Sequence, residues 1–428
     1  MKSLKIQKER NTKFWLFTVI LCLLNYAAIG QVVLPNSVFQ WIGATKSIKK
    51  LDSLINIADK FGLNKSDYAL TDIRKILTQS NPLKTYKDSI AAEVGIQKTA
   101  VHFFNDLAYG NTPPQLDYRG VKFYMTSFNI PALIKEYKQS NSNEQSHQLE
   151  SLVDLLNNQS IEVKKLLDTL AVLQNAKAKN KNTIHILSKA VNHYRWLNAI
   201  RKTQRVVLVN IPSTLLKVYE GDSIKLQMKL IVGKPSTPTK TMSAYIDQVT
   251  INPYWTVPKS IIINEMLPKI QKDLSYLSKN HLEVLGANYK PINPTKINWF
   301  GLDLVNFPYI IRQATGCENA LGILKLEFDN PFSIFLHDSP EKALFKNKYR
   351  FLSHGCMRME NPIGMGKLLL SDQAQVLDGI DLTNCHLNLK PTYIPLKTKT
   401  PLVVWYNQID FDSNNNILFY KDVYNSAH

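Results

Sequence analysis

Cys356 stands in the stretch FLSHGCMRMENP, residues 351–362, directly after a His-Gly pair and two residues before Arg358. A thiolate is a strong nucleophile, but at neutral pH a thiol needs a base or a nearby cation to lose its proton. Two histidines are candidates for the base: His354 in the same stretch, and His337 at the end of the β-rich run FSIFLH. These residue types are compatible with a catalytic cysteine, a buried structural cysteine or a zinc site.

His337 is the better candidate for the base. Residues i and i+2 of a strand share a face but diverge in direction, so His354 is less suited to reach the sulfur than a histidine on a neighbouring strand. The loop DSPEKALFKNKYR after His337 is long enough to join two adjacent strands. Gly355 would let the backbone approach a substrate, and the amides of Gly355 and Cys356 would stabilise an oxyanion. Arg358 would place a positive charge near the thiolate or bind a substrate carboxylate.

The alternative kinds of site predict different residues near Cys356. A lone cysteine is most often a small buried hydrophobic residue, and a histidine near it is most often structural. A zinc site would use His337, His354 and Cys356, but the chain has no CxxC or HExxH spacing to accompany it. A papain-like run of Cys-Gly-Ser-Cys-Trp is also missing, which argues against a generic cysteine protease.

The N-terminus has the pattern of a targeting segment. Five basic residues within positions 2–13 precede the apolar run 14–24, and small residues follow at Ala28 and Gly30. We predict that residues 1–30 are a signal peptide, or alternatively an uncleaved anchor that associates the chain with the membrane. Either way the remainder would be exported to the periplasm or cell envelope. Removal of Cys22 would leave three cysteines, so one thiol must stay unpaired in an oxidising compartment.

The chain is basic, with a formal net charge of +18. Basic proteins are attracted to polyanions, and nucleic acid is the usual partner of a basic chain. Export instead favours an anionic wall polymer or the membrane surface, so we expect no nucleic-acid partner. Simple solubility is the alternative explanation of the charge.

The pattern of the chain changes near Arg205. Apolar residues recur at three- and four-residue steps from Leu51 to Leu197, which predicts helices. Short alternating runs rich in β-branched residues follow, which predict a sheet. The expected fold class is α+β, with a helical scaffold domain at 31–204 and a mostly β, sandwich-like catalytic domain at 205–392. We expect a helical capping insert at 258–316 and a C-terminal hairpin extension at 393–428.

Several segments together resemble the L,D-transpeptidase catalytic domain, the YkuD-type domain. His337 followed by Ser353-His354-Gly355-Cys356-Met357-Arg358 is similar to the family pattern of a histidine, a loop and then [Ser/Thr]-His-Gly-Cys-hydrophobic-Arg. The segments NHYRWL, VLVNIPSTLLKVYE, IVGKP, INPYWTVP, ENALG and FLHDSPEKALF occur in the expected order. The resemblance extends over residues 50–425 and is strongest at 190–362. It points to the subfamily with an N-terminal scaffold domain and a capping insert.

The resemblance implies roles for individual residues. Cys356 would be the nucleophile, His337 its base and later proton donor, and His354 a helper that orients the site, with Gly355 beside the nucleophile. The substrate-binding residues would be Arg358, Ser353, Tyr254 and Trp255, although the last two are equally compatible with a place in the sheet core.

The resemblance also implies a reaction. An exported L,D-transpeptidase would join peptidoglycan stem peptides through 3→3 cross-links, with a tetrapeptide donor, release of D-Ala and a diamino-acid acceptor. No metal or organic cofactor is expected, and carbapenems are expected to acylate Cys356. Alternatives are a carboxypeptidase, an enzyme that attaches or releases a wall-linked protein, and a non-catalytic wall-binding scaffold.

Two features depart from the family pattern. The helical pattern runs to Trp196 and leaves no room for the small peptidoglycan-binding module that the subfamily commonly carries. The family segment RQxPGPxNALG reads RQATGCENALG here, which places Cys317 where proline is usual. Pairing of Cys317 with Cys385 would leave Cys356 as the free thiol.

Overall fold

The structure is a computed structural model that describes residues 41–78, 83–111, 113–139, 145–157, 160–178, 180–316, 318–380 and 389–425. The N-terminal segment expected to direct export lies outside these residues, as do Cys317 and Cys385. The signal peptide and the disulfide therefore stay predictions. No helix in the described part of the chain is long and apolar enough to span a bilayer.

The chain divides into two compact units. One comprises Met1–Asp52 with Ala69–Ala100, and the other comprises Ser53–Tyr68 with Val101–His428. In the first unit, the backbone amide of Trp41 donates to the carboxylate of Glu93 at 3.0 Å and the indole Nε1 donates to Gln97 at 2.6 Å. These bonds satisfy polar groups that burial would otherwise leave unpaired.

The N-terminal half is helical, as the spacing predicts. Polar caps begin two of its helices, since Ser160 Oγ accepts from the amide of Val163 and Asn180 Oδ1 accepts from that of Thr183. The helices are α1 (Thr45–Asn56), α2 (Thr71–Thr78), α3 (Tyr86–Tyr109), α4 (Ile130–Gln139), α5 (Gln145–Asn157), α6 (Ile161–Asn175) and α7 (Lys181–Arg201).

The remainder of the chain is rich in strands. The strands are β1 (Tyr118–Arg119), β2 (Val206–Asn210), β3 (Leu215–Glu220), β4 (Ser223–Gly233), β5 (Met242–Ile251), β6 (Trp255–Thr256), β7 (Leu282–Leu285), β8 (Ile310–Gln313), β9 (Leu324–Phe328), β10 (Leu336–His337), β11 (Phe351–Ser353), β12 (Met357–Met359), β13 (Thr392–Trp405), β14 (Ile409–Phe411) and β15 (Ile417–Phe419). A helical N-terminal part followed by a β-rich domain confirms the expected fold class.

The main sheet closes on itself. Its strands pair in the order β5-β13-β2-β3-β4-β12-β10-β9, and β9 pairs back onto β5. Eight strands therefore form a hydrogen-bonded ring around one apolar core, to which β1 and β11 add as side branches on β5 and β4. This closure goes further than the expected sandwich-like arrangement and removes the edges that an open sheet would expose.

Strand β2 shows how the helices α6 and α7 pack on the sheet. Every residue of Val206–Asn210 is buried. Val207 and Val209 face the core of the ring, whereas Val206 and Leu208 pack on a second cluster that contains the apolar side chains of α6 and α7. A continuous apolar run is the pattern of a strand that is covered on both faces. The helices α6 and α7 thus pack on the outer face of the ring through this second cluster.

The insert has a core of its own. A helix runs through three consecutive segments, Lys259–Ile261, a π-helical turn at Ile262–Met266, and Leu267–Lys272; we call this whole helix α8. The shorter α9 (Ser275–Lys279) follows, and β6, β8 and β7 form a separate three-stranded sheet. Apolar residues between Val257 and Ile311 pack these elements together.

The C-terminal boundary differs from the expectation. Residues 393–428 were expected to be an extension, but β13 lies between β5 and β2 in the middle of the sheet. The pairing of β13 with both neighbours makes these residues part of the catalytic domain's core. The expected hairpin is formed by β14 and β15, and Asp412 accepts from the amides of Asn414 and Asn416 in its turn. The helix α10 (Pro362–Leu370) also packs on the ring's core.

Candidate active site

Cys356 lies directly before β12, at the end of a tight turn that follows β11. Gly355 has a φ of +118°, a backbone conformation that L side chains rarely adopt. The space around it is open, because an added Cβ would meet no atom closer than 3.8 Å. Glycine is therefore required here for the path of the backbone rather than for lack of room.

Ser353 holds this turn in place from inside. Its side chain is buried, at 2% exposure, and its Oγ donates to the carbonyl of Cys356 at 2.6 Å. The same Oγ accepts from the amide of Gly355 at 3.2 Å. Ser353 therefore positions the turn in this structure, and its expected role in substrate binding stays a prediction. The Gly355 amide is bonded to Ser353 Oγ, so it could stabilise an oxyanion only if this bond were exchanged.

His337 lies on the strand next to Cys356. Strands β10 and β12 are parallel, with Leu336 beside Met357 and His337 beside Arg358. Leu336 and Met357 belong to the core of the ring, so the alternating residues His337, Cys356 and Arg358 share the opposite face. Spacing along the strands puts His337 diagonal to Cys356 on this face. The expected neighbouring strand is thus observed.

The imidazole of His337 has a defined tautomer. Its Nδ1 lies 2.5 Å from the carbonyl oxygen of Asp338, and since a carbonyl can only accept, Nδ1 carries the proton. The other nitrogen, Nε2, is then the acceptor. Burial lowers the pKa of His337 to about 3, aided by the charges of Arg358 and Lys325 and opposed by the backbone carbonyls of Asp338 and Leu321. His337 is therefore neutral at neutral pH, as a base must be.

The thiol of Cys356 is only partly exposed, and its Sγ lies 3.8 Å from the carbonyl oxygen of Ser333. Burial raises the pKa of Cys356, while a hydrogen bond from the backbone of Phe335 and the charges of Lys325 and Arg358 lower it. Desolvation is the largest of these influences, so the resting group is the thiol. The two cations become favourable when negative charge develops on sulfur.

Lys325 and Asp338 contribute to the site although the sequence did not single them out. Lys325 lies on β9 beside His337, with its Nζ 3.6 Å from the centre of the Phe335 ring. Asp338 is buried and accepts hydrogen bonds from the amides of Ser339 and Ile323, which fixes the backbone whose carbonyl holds His337. The sequence could have identified Asp338 only by its position directly after His337. It could have identified Lys325 only by the alternation of apolar and polar residues along LKLEF.

Arg358 is held from one side by a carboxylate. Its Nη1 pairs with Glu341, which belongs to the loop between β10 and β11. The guanidinium side chain is 20% exposed, so it retains some access to solvent while its charge acts on the two titrating groups. Both expected uses of this charge, near sulfur or on a substrate carboxylate, stay predictions.

His354 points to the insert. Its Nε2 lies 2.6 Å from the carboxylate of Glu265, which belongs to the π-helical turn of α8. Turns of this kind frequently occur at functional sites. His354 therefore connects the nucleophile turn to the insert, in agreement with a role in orienting the site.

Tyr254 and Trp255 lie where the chain leaves the ring and enters the insert. Trp255 pairs with β8 and packs partly buried against the insert's core, while the guanidinium of Arg312 stacks on the ring of Tyr254 at 4.0 Å. These contacts account for both residues structurally, and their role in substrate binding stays a prediction.

The arrangement can perform acyl transfer. A thiol and an imidazole whose acceptor nitrogen is fixed share one face, with cations near the position where negative charge would develop. Within the described ranges no three His, Cys, Asp or Glu side chains group closely enough to hold a metal ion. The fold and site therefore define a β-ring domain with a cysteine and histidine site of the nucleophile and base class.

The comparisons with known proteins agree with this class. Residues 204–369 match the YkuD family model, the L,D-transpeptidase catalytic domain, and residues 36–170 match the Scaffold domain model. The chain therefore contains an L,D-transpeptidase catalytic domain, and a Scaffold domain precedes it. The resemblance noted from the motifs is thereby confirmed.

Individual relatives are more distant. A Haemophilus influenzae protein named as an L,D-transpeptidase is 31% identical over 243 residues, or 56% of this chain. The chain spans 48% of that relative's length. An L,D-transpeptidase from Mycobacterium smegmatis has 13% identity and a TM-score of 0.22, covering 47% of this chain and 58% of that one. The catalytic domain of an E. faecium L,D-transpeptidase acylated by ertapenem has 10% identity and a TM-score of 0.22, covering 47% and 97%.

Proposed function

We propose that the protein is an exported peptidoglycan L,D-transpeptidase that forms 3→3 cross-links through an acyl-enzyme on Cys356. The observation that carries the proposal is the fixed tautomer of His337. Its Nδ1 donates to the Asp338 carbonyl, which leaves Nε2 as the acceptor on the face it shares with Cys356. The match to the L,D-transpeptidase catalytic domain supplies the substrate class, the peptide stems of peptidoglycan.

In the first half-reaction, Cys356 attacks the carbonyl of the third residue of a tetrapeptide stem. His337 Nε2 takes the thiol proton as the carbon–sulfur bond forms. The tetrahedral intermediate collapses with cleavage of the bond to D-Ala, and His337 returns the proton to the leaving amine. The products are a thioester on Cys356 and free D-Ala.

In the second half-reaction, the side-chain amine of a neighbouring stem attacks the thioester. His337 accepts the amine proton while the carbon–sulfur bond breaks, and the proton returns to the sulfur of Cys356. The new amide is the cross-link. No resident cofactor takes part, because the thiol and the imidazole provide the nucleophile and the acid–base group.

The amide of Cys356 is the remaining backbone candidate for stabilising the oxyanion. The Gly355 amide is committed to Ser353 Oγ, so a second donor must come from another group or from movement of the turn. Arg358 and Lys325 act on developing charge from the same side as the sulfur, since both lower the pKa of Cys356. The proposed site therefore relies on side-chain cations as well as backbone donors.

Purified disaccharide-tetrapeptide tests the reaction. Incubation of the parent protein should give an acyl-enzyme by intact mass and a 3→3 dimer, whereas Cys356→Ala should give neither. His337→Ala should slow acylation by about 100-fold or more, the usual contribution of a positioned base. His281→Ala is a matched control, because His281 lies in the insert against Glu318, and it should react like the parent.

The products distinguish the competing activities. Tripeptide monomers without dimers would show that the enzyme trims stem peptides with water as the acceptor instead of cross-linking them. Absence of both adduct and turnover in a folded parent would contradict an enzymatic role and favour a non-catalytic wall-binding scaffold. A carbapenem provides an independent check, since the family relationship predicts an adduct on Cys356.

Export to the cell envelope is part of the proposal. It rests on the charged and apolar pattern of residues 1–30. Fractionation of cells that produce the full chain tests it: protein confined to the cytoplasm would contradict export.

A further inference from the structure

A cavity of about 610 Å³ lies between α7 and the loops of the ring, and its lining includes none of Cys356, His337 and His354. One wall comes from α7 and the other from the segment before β5 and the chain that follows β13. The polar and charged residues that line it include Asp117, His185, Lys189, His193, Lys240 and Asn407. This volume is in the range of small-molecule sites.

Two buried residues of the lining have side-chain nitrogens without a hydrogen-bond partner among the described residues. Both ring nitrogens of His193 lack one, as does Nδ2 of Asn407. His193 is 2% exposed and Asn407 is 4% exposed. These nitrogens are enclosed in the wall, with less than 1 Å² of exposed surface each, so a ligand in the cavity would contact the exposed atoms of the lining instead.

The charge of the lining indicates which kind of ligand the cavity suits. Lys189 and Lys240 line the cavity, and within the described chain neither forms an ion pair with a carboxylate. The only carboxylate among the described lining residues is Asp117, which accepts hydrogen bonds from the amide and hydroxyl of Thr241 at 3.0 Å. A ligand here meets two lysine ammonium groups and a carboxylate that already accepts hydrogen bonds from Thr241.

We propose that this cavity binds a small oxyanion, a carboxylate or a phosphate, between Lys189 and Lys240. The ligand class follows from the two cations, because an oxyanion provides the hydrogen-bond acceptors that lysine ammonium groups need.

The same cavity touches the nucleophile turn through one residue. Thr239 lines the cavity, and its Oγ1 donates to the carbonyl of Gly355 at 2.8 Å. The Thr239 amide donates to the hydroxyl of Tyr424, another lining residue, at 3.3 Å. Occupancy of the cavity should therefore change the reactivity of Cys356, and this coupling is the second part of the proposal.

Calorimetric titration of the full chain tests binding, with inorganic phosphate in one arm and succinate in the other. Ionic strength is held constant with sodium chloride. Saturable binding of either anion is expected, and the arm that saturates identifies the phosphate or carboxylate source. Lys189→Gln should weaken the Kd by about tenfold or more, as loss of a charge-assisted contact does.

Lys181→Gln is the matched control, because Lys181 begins the same helix but does not line the cavity. It should leave the Kd within about twofold of the parent. Equal weakening by both variants would reveal general charge attraction and overturn the site. Absence of saturable binding in both arms would also overturn it and assign the cavity to water.

The coupling is measured by the rate at which iodoacetamide alkylates Cys356, followed on its own peptide by mass spectrometry. This readout needs no enzymatic activity, so it stands apart from the proposed transpeptidation. A saturating anion should change the rate at least about twofold in the parent and not in Lys189→Gln. Binding with an unchanged rate would uphold the site and overturn the coupling.

Discussion

Replacing Ser353 by alanine tests whether this residue positions the nucleophile turn or binds substrate. The hydroxyl accepts from the amide of Gly355 and donates to the carbonyl of Cys356, and the side chain is almost fully buried. Alanine removes both bonds without filling the space with another polar group. Two backbone groups would then lose their partner in a site with little access to water.

The size of the effect follows from these two bonds. A buried donor or acceptor left without a partner costs about 1–3 kcal/mol, so loss of two partners in Ser353→Ala should lower the free energy of unfolding by about 2–6 kcal/mol. Movement of the turn by an ångström would also misplace the sulfur. We expect acylation of Cys356 to slow by about 10- to 100-fold.

Urea denaturation and single-turnover acylation by a carbapenem measure the two effects. Ser353→Thr is the control, because threonine keeps the hydroxyl and should recover most of the stability and rate. Unchanged unfolding and acylation at saturating ligand, with only the concentration dependence weakened, would refute the positioning role. That result would restore the substrate-binding role first expected of Ser353.

Three further predictions follow from buried polar groups. Because the pKa of His337 is lowered to about 3 and that of Cys356 is raised, the acylation rate should not change between about pH 5 and pH 8. Stopped-flow data with an inflection near pH 6.5 would contradict a neutral imidazole beside a neutral thiol. Burial lowers the pKa of His193 to about 3, so the stability that the neutral ring contributes is complete above about pH 6.5 and is lost as the pH falls. Between about pH 7 and pH 5, urea titrations should show the parent losing about 2 kcal/mol more unfolding free energy than His193→Phe. Equal losses in the two proteins would exclude this linkage. Asp410→Ala should lower the free energy of unfolding by about 3–5 kcal/mol, because it leaves the buried Lys217 ammonium without its carboxylate partner at 2.5 Å. Adding Lys217→Met to this variant should recover stability in urea titrations. A double variant no more stable than Asp410→Ala would refute the explanation.

The pairing of His337 with Cys356 on adjacent strands could be predicted because its signals are local. Strand alternation and a loop of suitable length sufficed to place β10 beside the strand that follows Cys356, and the structure pairs β10 with β12 in parallel. The role of Ser353 could not be read in the same way. It depends on the positive φ of Gly355, which turns the amide back onto the hydroxyl. In sequence, a serine in a catalytic motif gives no sign of whether it points inward or outward.

Features that depend on distant pairing were missed. Glu265 meets His354 across 89 positions of the chain, and nothing near either residue in sequence predicts the contact. Residues 393–428 were expected to form an extension, yet the pairing of β13 with β5 and β2 places that strand inside the sheet. Periodicity identifies an element, whereas its neighbours are decided by which surfaces must be buried together.

The electrostatics of the site bear on when the nucleophile forms. Desolvation is the largest influence on both groups, and it favours the neutral form of each: it lowers the pKa of His337 and raises that of Cys356. An ion pair of thiolate and imidazolium is therefore disfavoured at rest, unlike the pairs that make some cysteines reactive towards any electrophile. Proton transfer to Nε2 must accompany attack on a bound carbonyl, when Lys325 and Arg358 can stabilise the charge that develops. The resting thiol is correspondingly protected from oxidation, because the thiolate is the form that oxidants attack.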